Sequence, residues 1–268
     1  MLAALVLVAF GSLGSALTFN ARDGASAGVV TKCVKPGQAA ITLDDGPYNW
    51  HSQIADLLTS YKVKGTFFIN GNNWACIYDK DRIANITYSY NLGHQIGLPS
   101  RLFLGSVTYP FEAHHTWSHQ DLTTVSAERL DSELTLLTTA FERILGVNPA
   151  YCRPPYGNYN DTVVNAINAK GMTVMTWNAD SMDSDGYTEP QSEAQYKQLL
   201  PSSDGSVIAL NHETNPTTAS TLIEWLIKEL LNLGYELVTA AECAGGDAYQ
   251  SVGQPQTPTA QWYCPSTN

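Results

Sequence analysis

Two aspartates stand side by side at the end of an apolar run, Ala40-Ile41-Thr42-Leu43-Asp44-Asp45-Gly46-Pro47. A buried strand that stops in two carboxylates and a Gly-Pro turn presents charge where it meets solvent. Adjacent carboxylates repel, so one of the pair is held protonated unless a cation shares the site. The second feature is His115-Thr116-Trp117-Ser118-His119, two imidazoles four residues apart. They share one face if the segment is a helical turn, a spacing suited to gripping one metal ion. Zinc proteases with this spacing carry Glu directly after the first His as base, and Thr116 cannot serve, so a third ligand and a base must come from elsewhere. Asp45 is the candidate that completes a His-His-Asp set, and Asp44 the candidate that deprotonates a metal-bound water. Three ligands with an open position are what catalytic zinc requires.

Two further segments end apolar runs in polar groups. Met175-Thr176-Trp177-Asn178-Ala179-Asp180 and Ile208-Ala209-Leu210-Asn211-His212-Glu213 both read as strands. A single His is commonly a satisfied structural residue. Its place at a strand's end, with Asp180 at the end of the preceding strand, points instead to an acid oriented by a carboxylate. Arg153-Pro154-Pro155-Tyr156-Gly157 is stiff, because two prolines fix the backbone and Gly157 allows a turn. It reads either as a loop with an exposed arginine or as a wall that points a guanidinium at a carboxylate.

The elements that must position these groups alternate along the chain. Buried strands are expected at 39–43, 65–69, 172–177, 207–210 and 235–238. A helix is expected over 126–145, where Leu130, Leu134, Leu137, Phe141 and Leu145 form a stripe and Gly146 ends it. Helices over 161–170 and 219–233 are likewise closed by Gly171 and Gly234. Strand and helix in alternation imply an α/β fold with a parallel sheet closed into a barrel, functional residues lying at the carboxyl ends of the strands. The chain is read as a signal peptide at 1–16, an N-terminal segment at 17–37, a catalytic domain at 38–243 and a loosely held tail at 244–268.

Net charge is −11 and the isoelectric point about 4.8. That excludes a nucleic-acid partner, which needs a basic patch. The apolar N-terminus loosens into Gly14-Ser15-Ala16, a signal-peptidase site, and is too short to span a bilayer, so secretion is expected and a membrane partner is not. Five cysteines fit an oxidising compartment and no zinc-finger spacing, which leaves one unpaired. Cys33 and Cys243 flank the periodic region and are expected to bridge. Asn85-Ile86-Thr87 and Asn160-Asp161-Thr162 are glycosylation acceptors if the chain is secreted.

The ordered set Thr42 to Pro47, His115 to His119, Arg153 to Tyr156, Asp180 to Asp183 and Leu210 to His212 resembles the polysaccharide deacetylase family, carbohydrate esterase family 4. The likeness spans about residues 38 to 243 and is nearest the secreted fungal chitin deacetylases. The resemblance implies an irregular (β/α) barrel as a single domain. It implies Asp44 as catalytic base, Arg153 orienting it, and Asp45, His115 and His119 as ligands of a divalent metal, usually zinc, with cobalt as the alternative. It further implies His212 as general acid oriented by Asp180, the backbone N–H of Tyr156 at the oxyanion, and Leu210 against the acetyl methyl. The expected substrate is chitin or another N-acetylglucosamine polysaccharide, with a monomeric, extracellular or cell-wall enzyme. Acetylxylan esterase and peptidoglycan deacetylase use the same machinery and stay open.

Two departures stand out. The family's fourth motif ends in an aromatic residue where this chain has Ser184, which leaves Trp177 or Tyr187 to wall the acetyl pocket. Relatives pass from a strand like Gly93-His94-Gln95-Ile96-Gly97 almost directly into the metal-binding histidines. Here residues 98–113 intervene, with neither helical nor strand periodicity. They read as a translated, unspliced intron or gene-model error, the alternative being a substrate-binding loop. If the insertion displaces His115, the protein becomes a catalytically impaired polysaccharide-binding module.

Overall fold

The computed structural model describes residues 28–92, 111–200 and 205–264. The signal segment 1–16 and residues 98–110 of the anomalous stretch lie outside the described residues.

Strand β2 (Gln38–Gly46) is the axis of the molecule, buried along its length except for Asp45 at the half-buried rim. Both of its faces are covered, which is why it reads as a continuous apolar run rather than an alternation. Around it the other strands are β1 (Val29–Val30), β3 (Gly65–Ile69), β4 (Phe111–His114), β6 (Tyr151–Cys152), β7 (Thr173–Met175), β8 (Ala179–Asp180), β9 (Val207–His212) and β10 (Glu236–Leu237). They form one sheet in the order β1-β7-β6-β4-β3-β2-β9-β8, with β10 also pairing β2, every ladder parallel. The result is a curled, open half-barrel, the irregular barrel expected from the alternation.

Helices α1 (His51–Ser60), α2 (Lys80–Leu92), α3 (Ala127–Ile144), α4 (Asp161–Ala169), α5 (Glu189–Leu199), α6 (Ile223–Asn232) and the short α7 (Ala240–Ala244) accompany the sheet. The stripe Leu130, Leu134, Leu137 and Phe141 on α3 is buried as its spacing requires, and Ser126 caps the helix by accepting the Arg129 N–H. Gly146 ends the segment at φ 74°, a conformation that favours glycine. The helix expected over 219–233 is instead a π-helical segment, Thr218–Leu222, running into α6.

Three expectations need correction or completion. Residues 111–113 are not an excursion: with His114 they form β4, paired with β3 in register Thr66↔Phe111 to Ile69↔His114. Over residues 244–264 the tail is not loosely held. Its strand β11 (Tyr249–Val252) pairs antiparallel with β5 (Val147–Pro149), Trp262 packs on Tyr78 at 5.5 Å, and Cys264 bridges to Cys76. Polar composition hid backbone pairing and a covalent staple. Cys33 and Cys243 are bridged as expected, and Cys152 is the free, buried thiol. Among the described residues no helix is long and apolar enough to cross a membrane.

Candidate metal centre and its cleft

Strict alternation along β2 would send Asp44 and Asp45 to opposite faces. The register with β3 prevents it. Asp44 pairs with Phe68, but the next pair is Gly46 with Ile69, so Asp45 is the extra residue of a bulge. Asp45 takes φ 73°, a conformation Asp tolerates better than most residues, and both carboxylates reach the same histidine: His115 Nε2 lies 3.6 Å from Asp44 Oδ2 and 3.6 Å from Asp45 Oδ1. Gly46 is needed beside it, because a Cβ there would collide with the Glu213 carboxylate. That carboxylate accepts the Tyr48 N–H at 2.6 Å and meets His51 Nδ1 at 2.8 Å, holding the turn after the aspartates.

The histidine pair comes from a loop, not a helical turn. Strand β4 ends at His114, and Thr116 and His119 adopt φ 68° and 56°. The two rings are 5.0 Å apart all the same. Asn70 on the loop after β3 donates to the carbonyls of His115 and Thr116, which braces this backbone.

Asp45, His115 and His119 offer one ligand atom each within 4.8 Å of one another. His115 is fully enclosed, and burial, followed by the charge of His119, holds its pKa well below the ordinary imidazole value. Its ring is neutral, and Nδ1–H donates to the Arg153 carbonyl at 2.7 Å, so the Nε2 lone pair faces the carboxylates. Burial also lowers the pKa of His119, whose Nε2 is 3.2 Å from Asp45 Oδ1. Asp45 Oδ1 is buried without a hydrogen-bond partner. Lone pairs converging around an orphaned carboxylate oxygen fit a divalent cation, and the N,N,O donor set with one carboxylate suits zinc.

Asp44 is a different kind of acid. It is buried, and burial raises its pKa to about 6 against the opposing charge of Arg153. Arg153 is not the exposed arginine of the simpler reading: it is fully buried, donating to Asp44 Oδ1 at 2.6 Å, Thr42 Oγ1 at 2.9 Å and the Thr176 carbonyl at 3.1 Å. Its guanidinium stacks over Phe68 at 4.0 Å. These contacts fix the Asp44 carboxylate at the mouth of the sheet.

His212 ends β9, but its partner is not the expected one. Asp180 accepts the Met182 N–H at 2.8 Å and makes no hydrogen bond to the ring. Asp183 does: Oδ1 meets His212 Nδ1 at 2.7 Å, while Oδ2 accepts the His212 backbone N–H at 2.9 Å and the Thr218 hydroxyl at 2.6 Å. Burial pulls the imidazole pKa down, but the Asp183 hydrogen bond and charge, with Asp44 and Asp45 behind them, outweigh it and raise it to about 9. His212 is therefore an imidazolium at neutral pH, with Nε2 directed at the cleft. The irregular turn after β8 carries no periodic pattern; the only signal for Asp183 was a second aspartate three residues past the strand.

The polysaccharide deacetylase signature matches residues 31–175. The chain belongs to the polysaccharide deacetylase family. It is 35% identical over 219 residues to a chitin deacetylase of Pestalotiopsis sp, covering 81% of this chain and 67% of that protein. It is 31% identical over 221 residues to a chitin deacetylase of Colletotrichum lindemuthianum, covering 81% and 83%. The solved structure of the Colletotrichum lindemuthianum chitin deacetylase superposes with a TM-score of 0.73 at 30% identity, covering 83% of this chain and 95% of that one. A family pseudoenzyme from Bacillus anthracis shares the fold, with a TM-score of 0.66 at 16% identity, covering 80% and 68%.

Asp44, His212 and the candidate triad Asp45, His115 and His119 line one cleft of about 370 Å³, with Tyr156, Trp177, Asp180, Ser184, Asp185 and Leu210. Of the two aromatic residues expected to wall it, Trp177 lines the cleft and Tyr187 does not. Tyr156 is exposed and left-handed at φ 60°, its ring edge on His119 at 4.8 Å. At the start of a helical turn its N–H has no intrahelical acceptor. Sequence reasoning passed over Asp183, Glu213 and Glu133, all buried carboxylates that touch the loops of this centre.

Proposed function

We propose that this chain is a secreted, zinc-dependent hydrolase that removes N-acetyl groups from N-acetylglucosamine residues of chitin or chitooligosaccharides. The observation that carries the reading is the flanking of one ligand triad by a carboxylate base and an imidazolium acid. The identity with chitin deacetylases over four fifths of the chain supports the substrate class. Two disulfides fit an oxidising, extracellular setting.

Asp45, His115 and His119 would hold the zinc, which would supply Lewis acidity and lower the pKa of water toward about 7. Asp44, steadied by Arg153, takes the proton of the water that attacks the amide carbonyl carbon. The Tyr156 N–H donates to the oxygen on which charge develops, a contact whose loss typically costs about 3 kcal/mol of transition-state stabilisation. His212 then gives its proton to the nitrogen as the C–N bond breaks, so the amide and one water leave as acetate and a free amine. Leu210 and Trp177 border the acetyl methyl.

Acetate release from chitin oligomers, acetylxylan and peptidoglycan, with and without chelator, tests the proposal. Chelator-sensitive release from chitin oligomers is expected. Release confined to acetylxylan or peptidoglycan would replace the substrate, and zinc-loaded protein that binds chitin without release would make it a binding module.

A further inference from the structure

The loop that carries both histidines is held in an unfavourable shape. Thr116, a β-branched residue, and His119 both have positive φ, which ordinary side chains avoid. Something outside the loop must over-determine it. Asn70 braces its first residues, and one turn of α3, centred on Glu133, holds the part between the histidines. Glu133 is 1% exposed. Its Oε2 accepts the Ser118 N–H at 2.7 Å, its Oε1 accepts the Ser118 hydroxyl at 2.6 Å, and its backbone carbonyl accepts the Trp117 N–H at 3.1 Å. Arg129, one turn earlier, reaches Glu133 Oε1 at 2.8 Å, Ser118 Oγ at 3.0 Å and Gln120 Oε1 at 3.2 Å.

Helix packing alone gives no reason for this carboxylate. Leu130, Leu134 and Leu137 beside it on α3 are buried and apolar, and a buried charge is tolerated only where its partners need it. Its partners are the residue between the two histidines and the arginine that shares it. Glu133 is not a ligand of the triad and does not line the cleft.

We propose that Glu133 is a positioning residue for the metal centre, clamping Ser118 so that the strained loop delivers His115 and His119 to Asp45. The inference rests on the metal-binding reading of that triad. Without the clamp, Ser118 N–H and Arg129 lose their shared acceptor and the loop relaxes, moving His119 off the common point. Partners of this outer kind typically carry a 10–100-fold effect on metal affinity, so about that loss is expected here.

The test is Zn²⁺ affinity by competition with a chromophoric chelator, on the parent, Glu133→Gln and Ser118→Ala, alongside the visible spectrum of the Co²⁺-loaded proteins and thermal melting of the metal-free ones. Glu133→Gln is expected to bind zinc about 10–100-fold more weakly and to shift the cobalt bands, while its metal-free form still melts cooperatively. Folded Glu133→Gln with zinc affinity within about twofold of the parent and unchanged cobalt bands would overturn the proposal, since that is what a purely structural carboxylate gives. Should Glu133→Gln not fold, Ser118→Ala decides by the same readouts, with weaker zinc binding supporting the clamp and unchanged binding refuting it. A parent that binds no zinc would overturn the metal reading itself, a separate result.

Discussion

Replacing Asp183 by Asn removes the charge that sustains the His212 imidazolium while keeping the shape that holds the ring. The imidazole pKa is raised from 6.5 to about 9, and burial, the largest opposing influence, is left in place by the substitution. A raised pKa means the acid is present below about 9 and lost as pH rises through it. Without the anion the ring falls back to the ordinary value or below. At about pH 8 roughly nine tenths of the parent's His212 is protonated against about 3% in the variant, a loss of about 30-fold in turnover. At about pH 6 the two differ by less than about twofold. The assay is acetate release from a chitin oligomer at saturating substrate across this range. Asp180→Asn is the paired control, and its alkaline limb is expected to move less, because Asp180 hydrogen-bonds Met182 and acts on the ring through its charge alone. An unmoved limb in Asp183→Asn, a uniform loss at every pH, or a shift in Asp180→Asn as large as that in Asp183→Asn would refute the assignment.

Other consequences are direct. Asp44→Asn is expected to lower turnover by about 10²–10⁴-fold and leave zinc bound, whereas His119→Ala loses both, as read by acetate release and bound metal; loss of zinc from Asp44→Asn would move Asp44 into the ligand set. Cys264→Ser opens a bridge spanning 188 residues and is expected to cost about 2–4 kcal/mol in denaturant unfolding, an unchanged midpoint counting against the stapled tail. Glu112 on β4 is fully buried, and burial raises its pKa from 4.5 to about 7. Its charge therefore destabilises the fold increasingly as pH rises from about 4.5 through about 7, by about 3 kcal/mol in all, and Glu112→Gln should gain stability at neutral pH but not near pH 4. Since residues 111–113 belong to β4, only the stretch 98–110 is expected to be absent from spliced transcript, and cDNA that encodes it would make it a genuine part of the protein.

What the sequence disclosed followed from periodicity and chemistry; what it concealed lay in irregular backbone. Strand 65–69 and the stripe on α3 were legible because burial imposes a repeat. The bridge between Cys33 and Cys243 was legible because those residues bracket that repeat. The pairing of His115 with His119 was read correctly but through the wrong geometry, since two positive-φ residues do what a helical turn was expected to do. Asp183 escaped because no period runs through the turn after β8. The tail escaped because its Gln, Pro, Thr and Ser composition says nothing about an edge strand such as β5 waiting for a partner. Glu133 escaped because the apolar stripe of α3 gives no cue to a buried carboxylate beside it, and only the loop across from it explains one there.

The adjacent aspartates show how little backbone change is needed to divide a pair of identical acids between two tasks. In a regular strand they would face opposite sides, and one would lie away from the histidines. One extra residue in β2 relative to β3 brings both into the cleft but at different depths. Asp44 keeps its place in the ladder opposite His212, is buried against Arg153, and has an oxygen engaged by that guanidinium. Asp45, on the bulge, is carried to the rim, where Oδ1 has no donor and faces two imidazoles whose low proton affinity leaves them lone pairs to share. On the proposed reading the inner acid, held by its arginine, serves proton transfer, and the outer one, whose Oδ1 has no donor, serves the cation. The bulge survives because Gly46 leaves room for Glu213, so a residue that touches neither metal nor substrate sets the distinction between them.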